Sequence, residues 1–327
     1  MKKLLIILLL LPTTSFAIEL SIPIDCKIGK ECFIQNYVDT ESSNGWADYN
    51  CGNLSYNKHK GTDFRLRNIA AMNKGTNVLS AADGKIIGIR NNMQDINIKK
   101  INKHKIKGNE CGNGVIIQHD DKGKWITQYC HMKQGSIVVK QGDNIKAGQQ
   151  IGQVGLSGNT EFPHLHFSVR KDGKELDPFT GKYIEGGCKS SAQEKSLWKL
   201  KPPYNTSIIL DYGITGTIPN AEKAREGKYH EHILNTHAKT LIIWADIMAP
   251  QKGDVMNVAI TFPNGKKRNL KATFNKSQAI RFQFVGLKLK EKSWEKGEYK
   301  VTISTLHKTK GNSIKLSDRK SFEFTVK

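Results

Sequence analysis

Pro163-His164-Leu165-His166-Phe167-Ser168-Val169-Arg170 is the stretch that decides how the first half of this chain folds. Polar and apolar residues alternate along it, and period-two alternation marks an extended strand with one face turned to a core. On such a strand His164 and His166 share one side, and Leu165 points the other way. Similar short runs precede it: Asn77-Val78-Leu79-Ser80, Lys85-Ile86-Ile87-Gly88-Ile89, Gly114-Val115-Ile116-Ile117-Gln118, Trp125-Ile126-Thr127-Gln128-Tyr129 and Gln150-Ile151-Gly152-Gln153-Val154. Short strands bounded by glycine turns predict an antiparallel β fold without a helix of ordinary length. Between Asn91 and Glu110 the rhythm breaks. Lys99, Lys100, Lys103, His104, Lys105 and Lys107 there read as a solvated insertion loop, placed to rim a cleft.

Beyond Cys188 the polar stretch Lys189 to Lys195 leads to Pro202-Pro203, a linker or an edge. Five later runs alternate with period two, among them Thr240-Leu241-Ile242-Ile243-Trp244 and Ser321-Phe322-Glu323-Phe324-Thr325-Val326. Strands of this kind in succession predict a β-sandwich, immunoglobulin-like in type, with a hairpin turn at Pro263-Asn264-Gly265. The expected class is therefore all-β, and 327 residues fit about two domains. The expected division is an extension over 18–50, a first domain over 51–189 and a second over 190–327.

Lys2 and Lys3, the apolar run Leu4 to Leu11 and the small residues around Ala17 read as a secretory signal peptide over 1–17. That run is shorter than the roughly 20 residues a bilayer span needs, and no later stretch replaces it. Export to an oxidising space, periplasmic or extracellular, makes the six cysteines Cys26, Cys32, Cys51, Cys111, Cys130 and Cys188 disulfide formers before metal ligands. Their pairing is open, although alternation puts Cys130 opposite the side of His131, where Cys111 from the preceding strand can meet it. Net charge is +21 and uneven: residues 190–327 hold 25 basic and 12 acidic side chains, while residues 18–189 hold 24 and 18. Such an excess attracts polyanions by screened Coulomb forces. For an exported chain that means peptidoglycan or another anionic wall polymer, and not nucleic acid.

Two patterns carry chemistry: His59-Lys60-Gly61-Thr62-Asp63, and the pair His164 and His166. With His131 they supply imidazoles and one carboxylate, a set that suits zinc with a position left open. Gly61 is expected to let the chain bend so that His59 and Asp63 meet one ion without a helix. The order of these residues closely resembles the lysostaphin/LytM-type zinc metallopeptidases, over about residues 51 to 180. Asp83-Gly84-Lys85-Ile86 and Tyr129-Cys130-His131-Met132 add to the likeness. The resemblance implies that His59, Asp63 and His166 are zinc ligands and that His131 and His164 are catalytic histidines. It implies a peptidoglycan endopeptidase, cutting D-alanyl cross-links if the wall is of diaminopimelate type, with glycine-glycine bridges as the second specificity of the same class. The family's non-catalytic members activate other wall hydrolases and lack some of these positions, which are all present here.

Other patterns are weaker. His119 follows a strand and His104 sits among lysines, so both are expected to be exposed. Tyr229-His230-Glu231-His232 with His237 lacks a spaced carboxylate partner. Gly155-Leu156-Ser157-Gly158 misses the nucleophile-elbow spacing, and even-numbered exported cysteines argue against a thiol protease. Two alternative functions remain beside wall hydrolysis: a non-enzymatic wall-binding or hydrolase-activating factor, and a peptidase acting on polypeptides.

Overall fold

The structure, a computed structural model, describes residues 18–184, 187–188, 195–229, 232–308 and 313–327. The expected signal peptide, most of the polar stretch after Cys188, and His230 with Glu231 lie outside the described residues. The first half contains β1 (Cys32–Asn36), β2 (Thr62–Leu66), helix α1 (Ile69–Lys74), β3 (Asn77–Leu79), β4 (Gly84–Arg90), β5 (Asn113–Gln118), β6 (Trp125–Met132), β7 (Asn144–Ile145), β8 (Gln150–Gln153), β9 (His164–Lys171), β10 (Lys174–Asp177) and β11 (Lys182–Tyr183). Nine of these strands form one sheet in the order β1-β2-β9-β6-β5-β4-β7, with β10 and β11 added beside β9. Every pairing in it is antiparallel.

The sequence reason for this sheet is plain in β9. Leu165, Phe167 and Val169 are buried in the core below it, while His164, His166, Ser168 and Arg170 occupy the other face. That second face is also largely sheltered, because loops wall a cleft above it. Residues 18–50 are built into the same body: β1 pairs with β2, and Leu20, Ile24 and Tyr37 join the core. Leu197 and Trp198, from the stretch read as a linker or an edge, pack there as well. The insertion 91–110 is not simply a solvated loop. Ile98 and Ile106 are buried between its lysines, and Asp95 accepts the amides of Gln134 and Leu156, so apolar anchors and carboxylate caps hold it down.

The six cysteines pair as Cys26–Cys32, Cys51–Cys188 and Cys111–Cys130. The second half contains β12 (Ile208–Thr215), helix α2 (Ala221–Arg225), β13 (Ile233–Leu234), β14 (Thr240–Met248), β15 (Val255–Thr261), β16 (Lys267–Thr273), β17 (Ile280–Lys288), β18 (Gly297–Lys308) and β19 (Ile314–Val326). They form two sheets, β12-β14-β17 and β13-β19-β18-β15-β16. Ile243 and Ile247 of one sheet share a core with Val258, Tyr299, Ile303 and Phe324 of the other, which makes the pair a sandwich. The hairpin turn lies where expected, with Gly265 at φ +80°. Ile208, Leu210, Met248 and Ala249 at one end of the sandwich belong to the first core, and Asn68 donates to Asp211 at 2.5 Å across the junction. Among the described residues no helix is long and apolar enough to cross a membrane.

Candidate metal centre

Strand pairing brings the site together. In the antiparallel register Asp63 on β2 stands opposite His166 on β9, and His166 stands opposite Cys130 on β6. His59 sits on the turn before β2, where Lys58 at φ +65° reverses the chain. Gly61 works differently from the expected bend. Its φ is not in the left-handed region; instead, a Cβ there would lie 2.6 Å from His166 Nε2 and 2.7 Å from the Phe167 carbonyl, so only glycine leaves room for the imidazole.

Three ligand atoms converge. Asp63 Oδ1 lies 3.0 Å from His59 Nε2 and 2.9 Å from His166 Nδ1, and the two nitrogens are 3.2 Å apart. Ligands about 2.0–2.1 Å from a tetrahedral zinc stand roughly 3.3 Å from one another, so this triangle is close to that size. The protonation pattern supports a cation. His59 Nδ1 donates to the Tyr37 carbonyl at 2.7 Å, which leaves Nε2 of a neutral ring as an acceptor facing another acceptor. Asp63 is buried, and Asn36 donates to its second oxygen at 2.9 Å. Burial pulls the His59 pKa down, but the Asp63 carboxylate outweighs it and holds the imidazole above its ordinary value. Asp63 is itself held well below the usual carboxylate range: burial opposes this, and the His59 and His164 rings beside it prevail.

His131 and His164 complete the cluster, their ring centroids 4.6 Å apart. His131 donates from Nδ1 to the Ser157 carbonyl at 2.8 Å, and His164 from Nδ1 to the Phe162 carbonyl at 3.0 Å, so both present Nε2 to the site. His164 Nε2 is 3.5 Å from Asp63 Oδ1. Burial, then repulsion by His164 and His166, push His131 well below the ordinary imidazole range. Strict alternation fails at His131, which adopts φ +61° where the β5–β6 register slips between Asn113 and Val115. Cys130 and His131 consequently both line the cleft, a correction to their expected opposite facing. The disulfide to Cys111 forms nonetheless.

All five sequence-selected residues therefore meet in one place, and among the described residues two triads, His59/Asp63/His166 and His131/His164/His166, could hold a metal and share His166. The first contains the carboxylate, and its three ligand atoms lie within 3.2 Å of one another. Sequence reasoning missed their supports. Asn36 lies in the stretch read as an extension. Arg65, two residues along from Asp63, is buried with its guanidinium 4.4 Å over the Phe162 ring, and burial lowers its pKa to about 10. It also donates to Gln35, and so steadies the loop that orients His164. Tyr56 lies against His59 with ring centroids 4.3 Å apart. His119 is not free in solvent: its nitrogens contact the Asp83 carbonyl and the Thr127 hydroxyl, both at 2.7 Å. His232 contacts the Glu323 carbonyl at 3.0 Å, away from this cluster.

Residues 57–178 match the model of Peptidase family M23. Peptidoglycan DD-endopeptidase ShyA of Vibrio cholerae is 32% identical over 119 residues, covering 36% of this chain and 22% of the relative. Murein hydrolase activator NlpD of Escherichia coli is 29% identical over 108 residues, 33% of this chain and 23% of the relative. The match thus spans about a quarter of the length of such relatives. Among solved structures, the catalytic domain of lysostaphin from Staphylococcus simulans is 28% identical with a TM-score of 0.27, covering 37% of this chain and 77% of that one.

Proposed function

We propose that this chain, which belongs to peptidase family M23, is an exported zinc-dependent endopeptidase that hydrolyses peptide stems or cross-links of bacterial peptidoglycan, with the D-alanyl cross-link as its preferred bond. The observation that carries this reading is the triangle of His59 Nε2, Asp63 Oδ1 and His166 Nδ1, in which acceptor faces acceptor. His59, Asp63 and His166 would hold the ion. When bound, zinc supplies a Lewis acid that acidifies water and polarises the scissile carbonyl. His131, kept neutral and aimed by Ser157, can accept a proton at Nε2 from the attacking water. His164, aimed by Phe162, can in its doubly protonated form donate a hydrogen bond from Nε2 to the oxygen on which charge develops, while the proton taken up at His131 Nε2 passes on to the leaving amine. The names of the DD-endopeptidase relatives support the bond assignment.

The basic surplus of residues 190–327 would hold the enzyme on anionic wall polymer. A second reading, that of a hydrolase activator without its own activity, is supported by the match to the activator NlpD. Dye-labelled sacculi separate the two. Zinc-loaded protein should release label by itself, and a chelator should stop it. Release only in the presence of an added wall hydrolase, chelated or not, would establish the activator instead.

A further inference from the structure

The cleft beside the metal centre, about 250 Å³, runs along β9 past His131 and His166 to Ser168 and Arg170. Arg170 lies on the same strand face as His164 and His166, four residues beyond the second, or about 13 Å at roughly 3.3 Å per residue. Its Nη2 donates to Gln128 Oε1 at 2.7 Å. The amide of Gln128 is itself oriented, because its Nε2 lies 3.4 Å from Cys111 Sγ, and the Cys111–Cys130 disulfide fixes that sulfur in the cleft wall. A neutral amide thus aims the guanidinium without cancelling its charge.

The carboxylates that could cancel it are engaged elsewhere. Glu175, across from Arg170 in the β9–β10 register, pairs with Lys60 at 3.2 Å. Glu110, on the rim, accepts the Gly108 amide at 3.0 Å. Among the described residues no carboxylate pairs with Arg170, and its Nε is buried without a hydrogen-bond partner. A guanidinium carries five donors in a planar fork that matches a carboxylate in bidentate fashion. Here Nη2 gives one hydrogen to Gln128 and Nε is buried, so the free face of the guanidinium, through Nη1 and the second Nη2 hydrogen, is what Arg170 offers to the cleft that a substrate must enter.

We infer that Arg170 is a specificity-determining residue that binds a free carboxylate of the substrate peptide, placed roughly two to four residues from the scissile bond given an extended chain of about 3.3 Å per residue and the reach of the arginine. The inference rests on the peptidase reading of the same cleft and deepens it: the substrate is an anionic peptide, and its carboxamide form is rejected. The committed Gln128 contact supplies the position, and the missing carboxylate supplies the affinity. An amide nitrogen at that place would meet only donors.

The test is made on metal-free protein, so that it reads binding and not turnover. The probes are a peptidoglycan stem tetrapeptide of diaminopimelate type and the same peptide with its side carboxylates converted to carboxamides, titrated calorimetrically into wild type and Arg170→Gln. Wild type should bind the carboxylate form at least tenfold more tightly, and Arg170→Gln should bind both forms alike with an unchanged melting temperature. The Arg170 Nε–Hε resonance should move only with the carboxylate form, and Arg170→Lys should keep part of the preference. A preference that survives in Arg170→Gln, or no preference in wild type, overturns the inference. Failure of the zinc-loaded protein to cut sacculi would sink the peptidase reading and leave this binding result standing, so the two failures are distinct.

Discussion

Asp63→Asn separates a metal centre from a merely structural cluster. In the native site His59 Nε2 and Asp63 Oδ1, both acceptors in the neutral-histidine form, face each other at 3.0 Å. An amide in place of the carboxylate can keep its oxygen toward Asn36 Nδ2, which now donates to Asp63 Oδ2 at 2.9 Å, and turn its NH2 toward His59 Nε2. A donor then replaces an acceptor and a buried charge disappears. The metal-free variant should therefore be as stable as wild type or more stable by about 1 kcal/mol, the worth of one added hydrogen bond. Zinc should have the opposite preference. At a free concentration of about 1,000 times Kd it stabilises wild type by about 4.1 kcal/mol. Loss of the carboxylate ligand should weaken binding by at least the roughly 100-fold that follows loss of an outer support, which leaves about 1.4 kcal/mol. At roughly 2–4 °C per kcal/mol the zinc-induced rise is about 8–16 °C for wild type and at most about 3–6 °C for the variant. Calorimetric scans with chelator and with zinc, together with metal content by mass spectrometry, read both quantities. Equal zinc shifts would refute the ligand role. A metal-free variant several kcal/mol weaker than metal-free wild type would show that the carboxylate serves the fold through a charged His59.

Gly61→Ala should push the His166 ring aside by on the order of 1 Å, and a misplacement of that size costs about 10²-fold in rate; label release from sacculi should fall accordingly, with about 1–3 kcal/mol lost in denaturant unfolding. Wild-type release by this variant would mean that the loop yields and the close approach is unimportant. Arg225→Ala should leave the buried Asp246 carboxylate without the two hydrogen bonds, both 2.8 Å, that now satisfy it. Arg225 is partly exposed, so the cost is discounted to about 2–3 kcal/mol, and a smaller midpoint shift in urea would contradict it. Metal-free protein should lose stability as pH falls below about 6.5, because the unfolded chain takes up a proton that buried His131, held well below its ordinary value, refuses in the fold. His166, lowered chiefly by burial, acts in the same sense, while His59, held up by Asp63, acts against them. The slope per uncompensated histidine is up to about 1.4 kcal/mol per pH unit, and His131→Gln should remove one such contribution. Parallel pH curves for the two proteins would show that His131 titrates as it does in the unfolded chain.

Why some of this was legible in the sequence and some was not follows from how far apart the interacting residues lie. His164 and His166 share a face because a strand repeats every two residues, so their joint presentation is a local property that needs no tertiary information. The partnership of His59 with Asp63 is nearly as local, but the reason for Gly61 is not. It depends on His166, more than a hundred residues later, filling the space where a side chain would stand. His131 marks the limit most clearly. Its histidine identity is readable, yet regular alternation turns it away from the site, and only the slipped β5–β6 register and a left-handed backbone bring its Nε2 in. A residue of that type at φ +61° is costly by itself, and the cost is sustained by the Ser157 carbonyl that holds its ring and by the Cys111 carbonyl that accepts its amide at 2.8 Å. Strand β6 also carries Cys130 of the disulfide and Gln128, and through Gln128 it reaches Arg170. The irregular end of this hairpin thus places His131, the proposed proton acceptor, on one side of the cleft, and its regular part, through Gln128, places Arg170, the proposed carboxylate receptor, farther along it. No window of the sequence read alone contains both.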